Sequence, residues 1–375
     1  MSDPYRQLAA RLDALPNGFP PTATGVEIRI LQHIFSPDDA AVALALLPVP
    51  ESAAAIARRL GRPVEETRAL LDAMAAKGQI AAVSRRGRPR YALVPFVVGI
   101  YEFQLPRIDR TLALLCEEYL PTLMKTLGGF RPALARVVPV GVRIDAAAEV
   151  LACESVREII GSARSIRLME CVCRREQEAL GSPCRHRAER CLAIADEPEA
   201  LRDFPPWGRL IGADEALAVL DATEREGLVH CTFNVRQSPM FICNCCSCCC
   251  GFLRGLREFE APHLLVRSNY VARIAGDDCV SCGECASGRC PMDAIAEREG
   301  GWAVDAGRCI GCGVCAVACA TGAIALVARP RAERTVPPGN VLSWAYRRAA
   351  ERSGPVHALA QFARVAARAA RPEPR

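Results

Sequence analysis

Residues 276–326 write one unit twice, first as "CVSCGECASGRCPMDAIA" and then as "CIGCGVCAVACATGAIA". Each copy has three cysteines two residues apart, a fourth shortly after, and an apolar segment behind it. Cysteines spaced so closely belong to a tight loop. Four thiolates converging from such loops hold a metal centre rather than fill a core.

The chain has 21 cysteines in 375 residues, and they are not evenly spread. Only Cys116 and Cys153 precede residue 170, and none follows Cys319. A length of 375 residues suggests two or three domains. With 51 % apolar residues the chain can bury real cores, so disulfides are not needed for stability. The N-terminus "MSDPYRQLAARLDALPNGFP" lacks an apolar signal core, and no stretch reaches the ~18–20 apolar residues of a spanning helix. A cytoplasmic location with reduced thiols is expected, where dense cysteine clusters usually mean metal.

Cubane iron–sulfur clusters need four thiolates around a small inorganic core. Three come from one loop, and the remote fourth serves the other cluster. The doubled unit resembles the bacterial two-cluster ferredoxins. The resemblance implies one 4Fe–4S cluster on Cys279, Cys282, Cys285 and Cys319, and another on Cys309, Cys312, Cys315 and Cys290. Two departures stand out: four residues, "ASGR", precede Cys290 where the family has three, and Ala320 stands where proline normally follows the last cysteine. Neither removes a ligand. Zinc also takes four cysteines, but the tandem spacing favours cubanes.

Residues 27–95 have the order helix, helix, helix, hairpin. Ser36 of "SPDD" is a helix cap with Pro37 in the first turn. "GRP" separates two further helices, and "AAVSRRGRPRYALVP" gives two short strands around a basic turn. The segment resembles the winged helix-turn-helix family. Its recognition helix would start at Val64, bury Val64, Leu70, Leu71 and Met74, and expose Glu65, Glu66 and Asp72 beside Arg68. Three acids disfavour a polyanion, whereas the hairpin arginines Arg85, Arg86, Arg88 and Arg90 are the candidate DNA contacts. A protein-docking or packing role is favoured over nucleic acid.

A helical connector over 98–133 follows, or a dimerisation helix that would make the protein a homodimer, with Cys116 on its apolar side. Residues 134–270 alternate helices and strands, as in a Cys-rich α/β domain. Cysteines gather where its strands end: Cys171, Cys173, Cys184 and Cys191, then six in the eight positions of "CNCCSCCC", namely Cys243, Cys245, Cys246, Cys248, Cys249 and Cys250. On strands, Cys171 would share a face with Cys173, and Cys243 with Cys245. These ten thiols suffice for one or two further iron–sulfur clusters, with a structural zinc site on the first four or a redox-active thiol pair as the alternatives. His186 and His230 lie among them as polar or supporting residues rather than ligands.

The expected architecture is multi-domain α+β. It comprises a winged-helix domain (1–97), the connector, the Cys-rich domain, a two-cluster ferredoxin domain (271–328) and a basic helical tail (329–375). As a whole the chain resembles a group of long bacterial 4Fe–4S-binding proteins, which implies single-electron transfer between a donor and an acceptor redox protein. Two other functions fit the same parts: a redox-responsive transcription regulator reading DNA through the winged helix, and an iron–sulfur reductase with the middle cysteines as its active site. No nucleotide-binding glycine loop or flavin fingerprint supports an enzyme.

Overall fold

The computed structural model describes residues 3–370 apart from 86, 142–151, 203, 204, 206, 260, 262 and 300. Arg86, and with it part of the expected basic hairpin turn, lies outside the described residues, as does the side chain of Arg85.

The N-terminal part is helical: α1 (Pro4–Asp13), α2 (Val26–Ile34), α3 (Pro37–Ala45), α4 (Ala53–Leu60) and α5 (Val64–Ala76), followed by β1 (Ala81–Arg85) and β2 (Arg88–Ala92). Ser36 and Asp39 form a capping box that starts α3, with Pro37 in its first turn. Each satisfies a backbone donor that the first helical turn would leave unpaired. On α5 the buried residues are Thr67, Leu71, Met74 and Ala75, whereas Val64 is exposed, because it opens the helix before the inward face begins. Asp72 accepts the Tyr91 hydroxyl and ties α5 to β2. The single turn α6 (Tyr101–Phe103) leads to α7 (Arg110–Gly128), the long connector helix.

Next come β3 (Ala135–Val138), α8 (Val156–Ser162), β4 (Ser165–Glu170), α9 (Val172–Ala179), β5 (Glu189–Ala195), β6 (Arg209–Leu210) and α10 (Ala213–Glu226). They continue as β7 (Val229–Phe233), β8 (Phe241–Cys245), α11 (Gly251–Glu258) and β9 (Leu265–Val266). Among the described residues the strands form one sheet of order β6-β4-β5-β8-β7-β3-β9, antiparallel except for the β3–β9 pair. Its faces differ, as alternation along a strand requires. Val138, Leu192 and Ile242 pack with residues of α8 and α10 such as Ile160 and Leu220. Ala135, Val137, Val229, Cys231 and Cys245 turn to the other side, where the C-terminal cysteines lie.

The rest of the chain is β10 (Tyr270–Ile274), β11 (Ile295–Arg298), β12 (Gly301–Val304), α12 (Val314–Ala318), β13 (Ile324–Ala328), α13 (Val341–Ser353) and α14 (Pro355–Ala369). β10 pairs with β13 and β11 with β12, both antiparallel. The tail is anchored rather than solvated throughout. Trp344 donates its indole N–H to the Ala133 carbonyl at 2.8 Å, and buried Arg348 donates to carbonyls of Pro16, Leu127, Phe130 and Pro132. Trp344 thereby joins an apolar core that reaches from Leu8 through α7 to Phe233 and Phe241. Among the described residues no helix is long and apolar enough to cross a membrane.

Candidate metal centres

The doubled cysteine unit forms two neighbouring thiol sets. Cys290, Cys309, Cys312 and Cys315 line one small apolar cavity, together with Ala272, Ile295, Ile310 and Val314. Cys309, Cys312 and Cys315 are buried. Burial, followed by the field of the neighbouring thiols, raises the Cys315 pKa to about 12. The second set gathers around Cys285, whose pKa is raised by burial and then by Cys279, Cys282 and Cys319. This set lies at the surface: Cys282 is exposed and Cys279 and Cys319 are half-buried. Cys315 also feels Cys285, so the two sets adjoin. The remote cysteine of each copy thus sits with the other copy's three.

Backbone and cations suit thiolates here. The Ala294 N–H donates to Cys290 Sγ at 3.2 Å, and against its burial the Thr321 hydroxyl and then the backbone N–H groups of Ile324, Ala323 and Gly322 lower the pKa of Cys319. Buried Arg329 donates to the Cys309 carbonyl at 2.6 Å and brings its charge near that thiol. Arg289 lies beside Cys312 and Cys315. At Gly311 (φ +68°) a Cβ would stand 2.2 Å from the Tyr270 carbonyl oxygen, and at Gly313 (φ +81°) 2.5 Å from Val140. Only glycine allows the loop to press so closely on β10 and the sheet.

The middle cysteines form two further groups, with different geometry. Cys184, Cys246, Cys248 and Cys249 have all four sulfurs within 4.8 Å of one another, which no other set of three or more metal-ligating groups achieves among the described residues. The second group is a chain of thiol contacts running Cys173, Cys171, Cys191, Cys243 and Cys245, then on to Cys231 and Cys250. The strand register explains it: Cys231 pairs with Cys243 and Val229 with Cys245, which puts the three thiols on one sheet face. Cys171 and Cys173 do not lie on a strand as expected. β4 ends at Glu170, Cys171 is the N-cap of α9, and Cys173 is in its first turn.

Arg174 stands between these two groups. It is buried and donates to the carbonyls of Arg187 and Asn244 at 3.0 and 2.8 Å, while its charge faces Cys246 on one side and Cys171 and Cys191 on the other. Hydrogen bonding from Cys249 lowers the Cys246 pKa to about 4, with Arg174 adding to it. Hydrogen bonds from Cys173 and Cys191 lower Cys171 in the same way. Each group therefore has one thiol poised as a thiolate.

Sequence reasoning missed Cys231 as part of the buried chain. The alternation of β7 was the available signal. His230, expected as a polar or supporting residue, has a buried ring bonded to Asn244 and Glu224. Beside the chain lies a largely apolar pocket, lined by Phe96, Tyr119, Met124, Cys173, Cys250 and the carboxyls of Glu102 and Glu176. Burial raises both carboxyls to about 7, so near neutrality each is divided between its protonated and ionised forms. Cys116 is buried in the apolar core, on the inner side of α7 as expected, and also lines this pocket.

A family model described as a 4Fe-4S binding domain matches residues 302–325. No curated protein and no solved structure matches the chain. The matched stretch includes Cys309, Cys312, Cys315 and Cys319, so the C-terminal part of this chain carries a 4Fe-4S binding domain.

Proposed function

We propose that the protein is an iron–sulfur electron-transfer protein with three cubane sites. Cys309, Cys312, Cys315 and Cys290 would hold an inner cluster, and Cys279, Cys282, Cys285 and Cys319 an outer one. The buried chain around Cys171, Cys173, Cys191, Cys243, Cys245 and Cys250 would hold a third. When bound, such clusters supply one-electron redox chemistry at thiolate-ligated iron.

One observation carries the reading. Cys231, in the middle of β7, feels both Cys250 of the buried chain and Cys312 of the inner set. Cys231, Cys245, Cys250, Cys309, Cys312 and Cys315 belong to one apolar core. That core keeps water away from the sites, and Arg174, Arg289 and Arg329 offset their negative charge. The exposed Cys282, next to Val280, marks the face where a redox partner would meet the outer set. Anaerobic analysis of iron, acid-labile sulfide and zinc in the full-length protein tests the proposal.

For the N-terminal helices and the β1–β2 hairpin, docking or packing fits better than reading DNA. The order α3, α4, α5 and hairpin supports the winged-helix resemblance, but Arg68 pairs with Glu65 at 3.7 Å on a face that also exposes Glu66. Arg59 is likewise held, by Glu51 and the Ala45 carbonyl. The cluster-loaded and apo proteins should therefore both bind duplex DNA weakly and without sequence preference at physiological salt. A sequence-specific gel shift lost in the Arg86→Ala, Arg88→Ala variant would contradict this.

A further inference from the structure

The ten middle-domain thiols do not form one kind of site. Cys184 comes from the loop between α9 and β5, and Cys246, Cys248 and Cys249 come from the turn between β8 and α11. Cys184 Sγ lies 3.7 Å from both Cys246 Sγ and Cys248 Sγ, and Cys248 Sγ lies 3.6 Å from Cys249 Sγ. Four sulfurs bound to a tetrahedral zinc at ~2.3 Å stand about 3.8 Å apart. A cubane would drive them farther apart, because its irons and sulfides sit between the thiolates. A disulfide would bring a pair to about 2.05 Å.

We propose that Cys184, Cys246, Cys248 and Cys249 bind a single zinc ion in a closed tetrahedral site. Three features support this beyond the distances. The Cys246-x-x-Cys249 spacing lets two thiols of one turn reach one ion. Backbone dipoles point at the sulfurs: the His186 N–H donates to Cys184 Sγ at 3.4 Å, and the Cys249 N–H to Cys246. The Arg174 guanidinium faces Cys246 and offsets the excess negative charge of four thiolates on a divalent ion. With all four positions taken by the chain, no place is left for water or substrate, so the role is structural. The ion would pin the α9–β5 loop to the turn that leads into Cys250, and so fix one end of the buried thiol chain.

The site uses none of the ligands assigned above to clusters, so zinc and iron can be read apart. Full-length protein purified anaerobically should contain about one zinc per chain, and Cys184→Ser should lower it about tenfold with iron unchanged. Cys248 is exposed, so its replacement leaves the packing intact. Cys248→Ala should lose zinc to the same extent, whereas Cys248→His should retain it as a Cys₃His site. Cobalt-substituted protein should display the ligand-field bands of a tetrahedral thiolate centre, and Cys248→Ala should lack them. Wild type without zinc would overturn the proposal, as would a loss of about four irons in Cys184→Ser, which would place these thiols on a cluster. One iron in place of the zinc would also overturn it.

Discussion

Replacing Cys309 and Cys312 together with Ser should remove about four irons per chain from the full-length protein and leave zinc in place. Both thiols are buried, at 8 % and 7 % exposure, and both line the inner cavity. A serine hydroxyl is a poor ligand for iron–sulfur clusters and has no partner among Ala272, Ile295, Ile310 and Val314. The cavity would then stay unfilled inside a core shared with Tyr270 and Leu326. This variant should therefore melt at a lower temperature than Cys279→Ser, Cys282→Ser, whose sites lie at the surface. Iron analysis and thermal melting check both points. Full iron retention in the inner-set variant would sink the ligand assignment.

The second large effect belongs to the buried chain. Changing Cys171 and Cys173 together to Ser should lower iron by about four per chain while about eight irons remain on the C-terminal sites. The two residues open α9, where Cys171 is a hydrogen-bond acceptor for Cys173 and Cys191 and sits beside the Arg174 charge. Losing that thiolate removes one of the negative charges that face buried Arg174, so a fall in stability should accompany the loss of iron. Unchanged iron would exclude a cluster there. Unchanged iron with one zinc lost would place zinc on these thiols instead.

Much of the C-terminal arrangement was legible in the residues, because ligand spacing is local. Cysteines two residues apart occupy one loop wherever they occur, and the remote fourth is fixed by the repeat. The middle domain was less legible because its thiols meet through sheet order. β5 lies next to β8, and β8 next to β7, so Cys191, Cys243 and Cys231 come together from separate parts of the chain. The tight set hides a C-x-x-C spacing inside a run of six cysteines, where every spacing is present and none stands out. The run "SIRLMECVC" reads as one strand that carries Cys171 and Cys173, but the strand stops at Glu170 and the helix starts. In the tail the amphipathic pattern was plain. What it could not reveal was that Arg348 turns inward to bind carbonyls at the end of α7.

Metal and sulfide content tests most directly whether these cysteines hold redox-active clusters. Full-length protein prepared anaerobically should contain about twelve irons and about twelve acid-labile sulfides per chain, and dithionite should reduce it by about three electrons. A preparation that holds zinc alone, with no acid-labile sulfide and no uptake of electrons, would contradict the account.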